Sequence, residues 1–159
     1  MAKKRVNYIC NQLGIKLRTF DPHPLRKEVS EYIVNSEDCA IRSICKITNT
    51  EYKDVYDSLF ERSRKLYITS INYARIIVEE LKEKYHFEIY RYESCKYKTL
   101  GEFMHSHKTG RFIISLDDHM ISYINGTWYD SDGVLKHADL YLTRKILFIA
   151  CEMKYSKYL

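Results

Sequence analysis

The sequence predicts an α+β fold in which an N-terminal helical part packs on an antiparallel β-sheet. Between residues 39 and 83 apolar side chains recur at helical spacing, whereas from Phe87 onward they alternate with period two. Asn125-Gly126, set between two β-prone runs, marks a tight hairpin in that second half. A chain of 159 residues, 45% hydrophobic and with only 5 Gly and 2 Pro, suits one domain over 1–159 with its own core rather than disorder.

Each element has a local reason. Residues 1–5, with Lys3-Lys4-Arg5, read as a basic tail, and Val6 to Cys10 as a short strand. Asn11 to Pro24 reads as loop, because each proline of Asp21-Pro22-His23-Pro24 disfavours helix in the residue before it. Leu25 to Val34 suits a short strand or a helix, and its pattern does not separate the two. A helix then starts around Asn35-Ser36-Glu37-Asp38-Cys39. There Asn35 or Ser36 can accept from first-turn N–H groups, and Glu37 and Asp38 suit the positive end of the dipole. Ile41, Ile44 and Ile47 form its inward stripe.

Thr48-Asn49-Thr50 punctuates, and Thr50 can cap a second helix with Tyr52, Val55, Tyr56 and Leu59 on one side. Thr69 or Ser70 starts a third, with Ala74, Ile77, Val78 and Leu81 inward and Lys82, Lys84 and the neighbouring glutamates in water. Phe87 to Tyr92 alternates as a strand, and Thr99-Leu100-Gly101-Glu102 resembles a capping box before a short helix through Phe103 and Met104. Four strands follow: Arg111–Leu116, Met120–Ile124, Thr127–Asp130 and Lys145–Cys151.

Charge and cysteines narrow the function classes. The net charge of +5 gathers at the ends, in residues 3–5 and in the tail 154–159, rather than in a basic stripe with interleaved aromatics. That argues against a nucleic-acid face. The five cysteines (10, 39, 45, 95 and 151) are odd in number and form no CxxC pair, so neither a zinc ribbon nor a disulfide scaffold is indicated. No apolar leader stands at the N-terminus, and the longest apolar run, Ile146 to Cys151, is too short to span a bilayer. A cytoplasmic protein with no membrane attachment is expected.

Chemistry concentrates at two places. A thiol at a helix N-terminus has its anionic form stabilised by the dipole and the unpaired N–H groups, and the thiolate is the nucleophile. Cys39 sits there. Taking Asn125-Gly126 as a type I′ turn sets Ile124 opposite Thr127, Ile121 opposite Asp130 and His119 opposite Asp132. His119 then shares a face with two carboxylates, of which Asp130, ending the regular strand, is preferred as the group that orients the ring. Tyr123 and Trp128 fall on the same face, as groove lining or as core. Cys45 should pack, and Cys10, Cys95 and Cys151 have no evident base nearby. His105-Ser106-His107 reads as a polar loop rather than a metal pair. No cofactor or metal is expected.

Asp38-Cys39-Ala40 opening a helix, then His119 leading a strand, the Asn125-Gly126 turn and Trp128-Tyr129-Asp130, together resemble papain-like cysteine peptidases. The likeness spans roughly residues 30–133 and is closest to the compact bacterial and phage branch similar to bacteriocin-processing peptidases. It implies a papain-like fold with Cys39 as nucleophile, His119 as general base and acid, and Asp130 as orienter. That family's oxyanion-holding glutamine lies several residues before the cysteine, where Asn35 is the nearest candidate; Ala40 stands where a glycine is often found. The implied reaction is acyl transfer through a Cys39 thioester on a protein or peptide substrate, with deamidation or transfer to an amine using the same machinery. A phage or mobile-element origin is also implied, with a host bacterial protein as partner in the bacterial cytoplasm. The alternative is a papain-like frame without catalysis that binds a host protein or nucleic acid.

Overall fold

The computed structural model of the protein describes residues 16–19, 38–67, 74–117, 119–130 and 142–159. Helix α1 (Cys39–Thr48) forms where the isoleucine stripe predicts it, and Ile41, Ile44 and Ile47 are fully buried. It stops at Asn49, whose left-handed backbone (φ 54°) ends the hydrogen-bond ladder. Helix α2 (Tyr52–Lys65) buries Tyr52, Val55, Tyr56 and Leu59. Its N-cap residue is Glu51 and makes no side-chain cap bond; Thr50, expected in that role, accepts instead from the Thr48 hydroxyl at 2.8 Å.

Helix α3 (Ala74–Glu83) buries Ile76, Ile77, Val78 and Leu81. Two expectations fail here. Ala74 is exposed, because it opens the described helix, and Glu80 is completely buried instead of joining the wet face. Glu80 is tolerated there because Ser58 Oγ donates to it at 2.6 Å and Arg62 Nε at 2.9 Å. A buried carboxylate with dedicated donors from α2 ties two helices together, which the local pattern of α3 does not signal.

The described residues hold a six-stranded sheet, in the order β1-β5-β4-β3-β6-β2. Its strands are β1 (Lys16–Thr19), β2 (Phe87–Arg91), β3 (Arg111–Ser115), β4 (Met120–Ile124), β5 (Thr127–Asp130) and β6 (Phe148–Glu152). The five later strands pair antiparallel, as expected. β1 corrects the loop assignment of 11–24: its backbone pairs parallel with β5, Lys16 opposite Thr127 through Thr19 opposite Asp130. An edge strand draws its stability from a partner more than a hundred positions away, so the nearby prolines were a poor guide to it. The last strand starts at Phe148 rather than Lys145, which keeps only an isolated bridge to Thr99.

Both faces of the sheet are covered. Helices α1–α3 pack on Ile113, Met120, Phe148 and Ala150. The opposite face carries Phe112, Ile114, Ile121, Tyr123, Trp128 and Ile149 against the short helix α4 (Leu100–Ser106). Thr99 caps α4 through the Glu102 N–H, while the Glu102 carboxylate accepts from Lys98 N–H. Of His105-Ser106-His107, expected as a polar loop, the first two end α4, and His107, just past the helix, is not solvated. It is buried and stacks on Phe103 with ring centroids 4.3 Å apart, which makes it part of this second core. Tyr123 and Trp128 are fully buried in the same core, so of the two readings they are packing residues. The proposed strand 6–10, the segment 25–34, and Thr69 and Ser70 lie outside the described residues.

Candidate active site

Three structural facts bring the separate pieces to one end of the sheet. The first is the hairpin. Asn125 (φ 46°) and Gly126 (φ 80°) both take the left-handed backbone that a type I′ turn requires, and the register sets Ile124 opposite Thr127 as expected. Asn125 is further fixed by exchange with Gly110: its N–H donates to the Gly110 carbonyl at 2.8 Å, and its Oδ1 accepts from Gly110 N–H at 3.0 Å. This register leaves Asp130 at the last position of β5 and His119 just ahead of β4.

The second is the turn from β3 into β4. Leu116 N–H donates to the His119 carbonyl at 2.8 Å, which holds the backbone of His119 at the strand's mouth. The third is the docking of α1. Ser43 Oγ donates to the Met120 carbonyl at 3.1 Å, and Ser122 Oγ donates to the Ser43 carbonyl at 2.8 Å. These buried bonds clamp the helix to β4. Cys39 lies one turn before Ser43, about 6 Å along the axis, and His119 is the residue before Met120. The clamp therefore sets the thiol and the imidazole side by side beyond the end of β4.

At that end His119 Nε2 lies 2.7 Å from Asp130 Oδ2, with both side chains almost wholly buried. The Cys39 side chain is within hydrogen-bonding reach of the same ring. Since Nε2 is engaged by Asp130, the nitrogen left for sulfur is Nδ1. Burial works against a charge on His119, but the bonds and negative charge of Asp130 and Cys39 outweigh it and push the ring up to about 10. The surroundings of His119 thus favour the protonated ring. Cys39 is partly exposed, whereas Cys45, Cys95 and Cys151 are buried. Burial pushes the Cys45 and Cys151 thiols up to about 12.

Cys39, His119 and Asp130 are therefore brought together. Asn35 and Asp132 lie outside the described residues. The helix start itself differs from expectation: Asp38, not Asn35 or Ser36, is the N-cap residue, and its side chain makes no cap bond. Its carboxylate pairs instead with Arg42 Nε at 2.9 Å and accepts from the Tyr52 hydroxyl at 2.7 Å. The Asp38-to-Arg42 spacing of one helical turn was a visible signal for this pair; Tyr52 was readable only as an inward-facing residue.

A cavity of about 350 Å³ opens at the same end of the sheet, lined by residues that include Tyr92, Asp117, Ile146, Leu147 and Phe148. Phe148 pairs with Ser115, whose other neighbour is Met120, so the cavity begins two strands from His119. At the usual strand spacing that is about 10 Å. No group of three or more His, Cys, Asp or Glu side chains that could hold a metal occurs among the described residues. No helix among them is long and apolar enough to cross a membrane. Neither protein-family models, nor curated proteins, nor solved structures give a match to this chain.

Proposed function

We propose that the protein is a papain-like cysteine hydrolase that cleaves an amide in a protein or peptide substrate by acyl transfer through Cys39. The reading is carried by one observation: a buried His119–Asp130 pair at 2.7 Å whose ring is shared with a cysteine at a helix N-terminus. An imidazolium donates at both nitrogens, so the fitting partners are the Asp130 carboxylate at Nε2 and a thiolate at Nδ1.

In the proposed reaction Cys39 sulfur attacks the carbonyl carbon, and the backbone N–H groups at the start of α1 hold the oxygen as it gains charge. His119 gives its proton to the leaving amine, which departs as the C–N bond breaks and the thioester forms. The neutral ring then takes a proton from water as the hydroxyl attacks the thioester, and keeps it as the C–S bond breaks, so that the acid leaves and the thiolate–imidazolium pair is restored. Asp130 holds the ring orientation throughout. The cavity beside Phe148 offers room for a substrate side chain about three extended residues from the reacting bond.

A small activated ester tests this without a known substrate. With p-nitrophenyl acetate, a rapid release of nitrophenolate matching the protein concentration is expected, with one acetyl group found on Cys39 after acid quench. His119→Ala should remove the rapid phase. Acetylation spread over lysines, with Cys39 no faster than they are, would contradict the proposal.

A further inference from the structure

Asp38 poses a problem for a nucleophilic Cys39. An aspartate at an N-cap ordinarily accepts a hydrogen bond from an N–H of the first turn, and a carboxylate next to a cysteine opposes formation of the thiolate. Here the side chain makes no cap bond. Its backbone (φ −118°, ψ 24°) lies outside the extended region that the other N-cap residues Glu51 and Thr99 adopt. The carboxylate is turned to Arg42 Nε at 2.9 Å and to the Tyr52 hydroxyl at 2.7 Å, and all three residues are at most 5% exposed. Burying an ion pair costs desolvation that its attraction roughly returns, so stability alone is a weak reason for this cluster.

We infer that Arg42 and Tyr52 are positioning residues for Cys39. They hold the Asp38 carboxylate neutralised and turned off the helix N-terminus, leaving the first-turn N–H groups for the acyl oxygen and removing an opposing charge from the thiolate. This rests on Cys39 being the nucleophile. Among the described residues, the charged and titratable groups facing this helix start are Asp38 at the N-cap, Arg42 of α1, Tyr52 of α2, and His119 and Asp130 from the sheet; Lys46, further along α1, lies over the Tyr129 ring. A like charge within about 4–6 Å shifts a titration by about 1–3 units. Releasing Asp38 from its partners should therefore be visible in the pH dependence of Cys39.

The test is the rate of Cys39 alkylation by iodoacetamide against pH, with the labelled residue located by mass spectrometry. Arg42→Gln should move the acid limb of the profile up by about one unit, which is about tenfold slower labelling at mildly acid pH. Tyr52→Phe should move it the same way by less. Adding Asp38→Asn to either variant should bring the profile back toward wild type, because the opposing charge is gone. A purely structural role makes each double variant no better than its single parent, and that result, or a wild-type profile in both single variants, would overturn the inference. Should Arg42→Gln fail to fold, Tyr52→Phe and its double with Asp38→Asn decide by the same signs. A wild-type Cys39 without acid-side reactivity would instead remove the nucleophile and the inference together.

Discussion

His119 Nε2 and Asp130 Oδ2 stand 2.7 Å apart across the β4–β5 hairpin, closed off from water on nearly every side. This contact, more than any single residue, decides the protonation of the site. The ring is pushed up to about 10 because two acceptors outweigh the cost of burying its charge. Asp130→Asn keeps the shape and removes one of them. The imidazole titration of His119, followed by NMR, should then move down by more than one unit, toward the ordinary value near 6.5. An unmoved titration would mean that Asp130 does not hold the proton.

The same shift makes stability depend on pH. The folded ring keeps a proton that the unfolded chain, with a histidine near 6.5, releases. Its contribution is complete below about pH 6.5 and is lost as the pH rises through the folded value near 10. In a Cys39→Ala background, where the thiol's own titration is absent and the ring loses Cys39 but keeps Asp130, urea unfolding should show stability falling as the pH rises above about 6.5, over a narrower range than in the intact site. Adding His119→Gln should flatten that fall. An equal slope with and without His119 would place its origin elsewhere.

Much of this arrangement was legible in the sequence, and for identifiable reasons. β4, β5 and their turn follow from Asn125-Gly126 and from alternation, which are local signals; the register then put Asp130 and Asp132 on the face of His119, and the end of the regular strand favoured Asp130. Helix α1 follows from three isoleucines. What escaped the reading depends on contacts between distant segments. The edge strand Lys16–Thr19 exists through β5. Glu80 looks like a surface glutamate until Ser58 and Arg62 are seen to reach it, and Asp38 looks like a helix cap until Arg42 and Tyr52 take its oxygens. Charged residues defeat pattern reading most often, because burial of a charge is decided by its partner.

Glu80 offers a direct check of that principle. Arg62→Met leaves a completely buried carboxylate without its nearest cation and should cost about 3 kcal/mol or more. Glu80→Leu combined with Arg62→Met removes both charges and should recover a large part of that loss. Chemical denaturation of the single and double variants measures it. A double variant as unstable as the sum of its parts would indicate lost packing instead.

The clamp between α1 and β4 couples stability to geometry. Ser122→Ala removes a second donor to the Ser43 carbonyl, which keeps its bond within the helix, and should cost about 0.5–1.5 kcal/mol. Because this bond helps set the height of Cys39 over His119, the variant should also lose nitrophenyl acetate acylation under conditions where it remains folded. Full acylation in a destabilised variant would show that the other contacts of α1 suffice.

The most direct measurement is alkylation of the native protein with limiting iodoacetamide from about pH 5 to 9, comparing Cys39 with the other four cysteines by mass spectrometry. A thiolate held by His119 makes Cys39 label fastest on the acid side, and His119→Ala abolishes that advantage. If Cys39 labels no faster than the other cysteines, or if His119→Ala leaves its rate at low pH unchanged, the thiolate–imidazolium pair does not exist and the hydrolase reading fails with it.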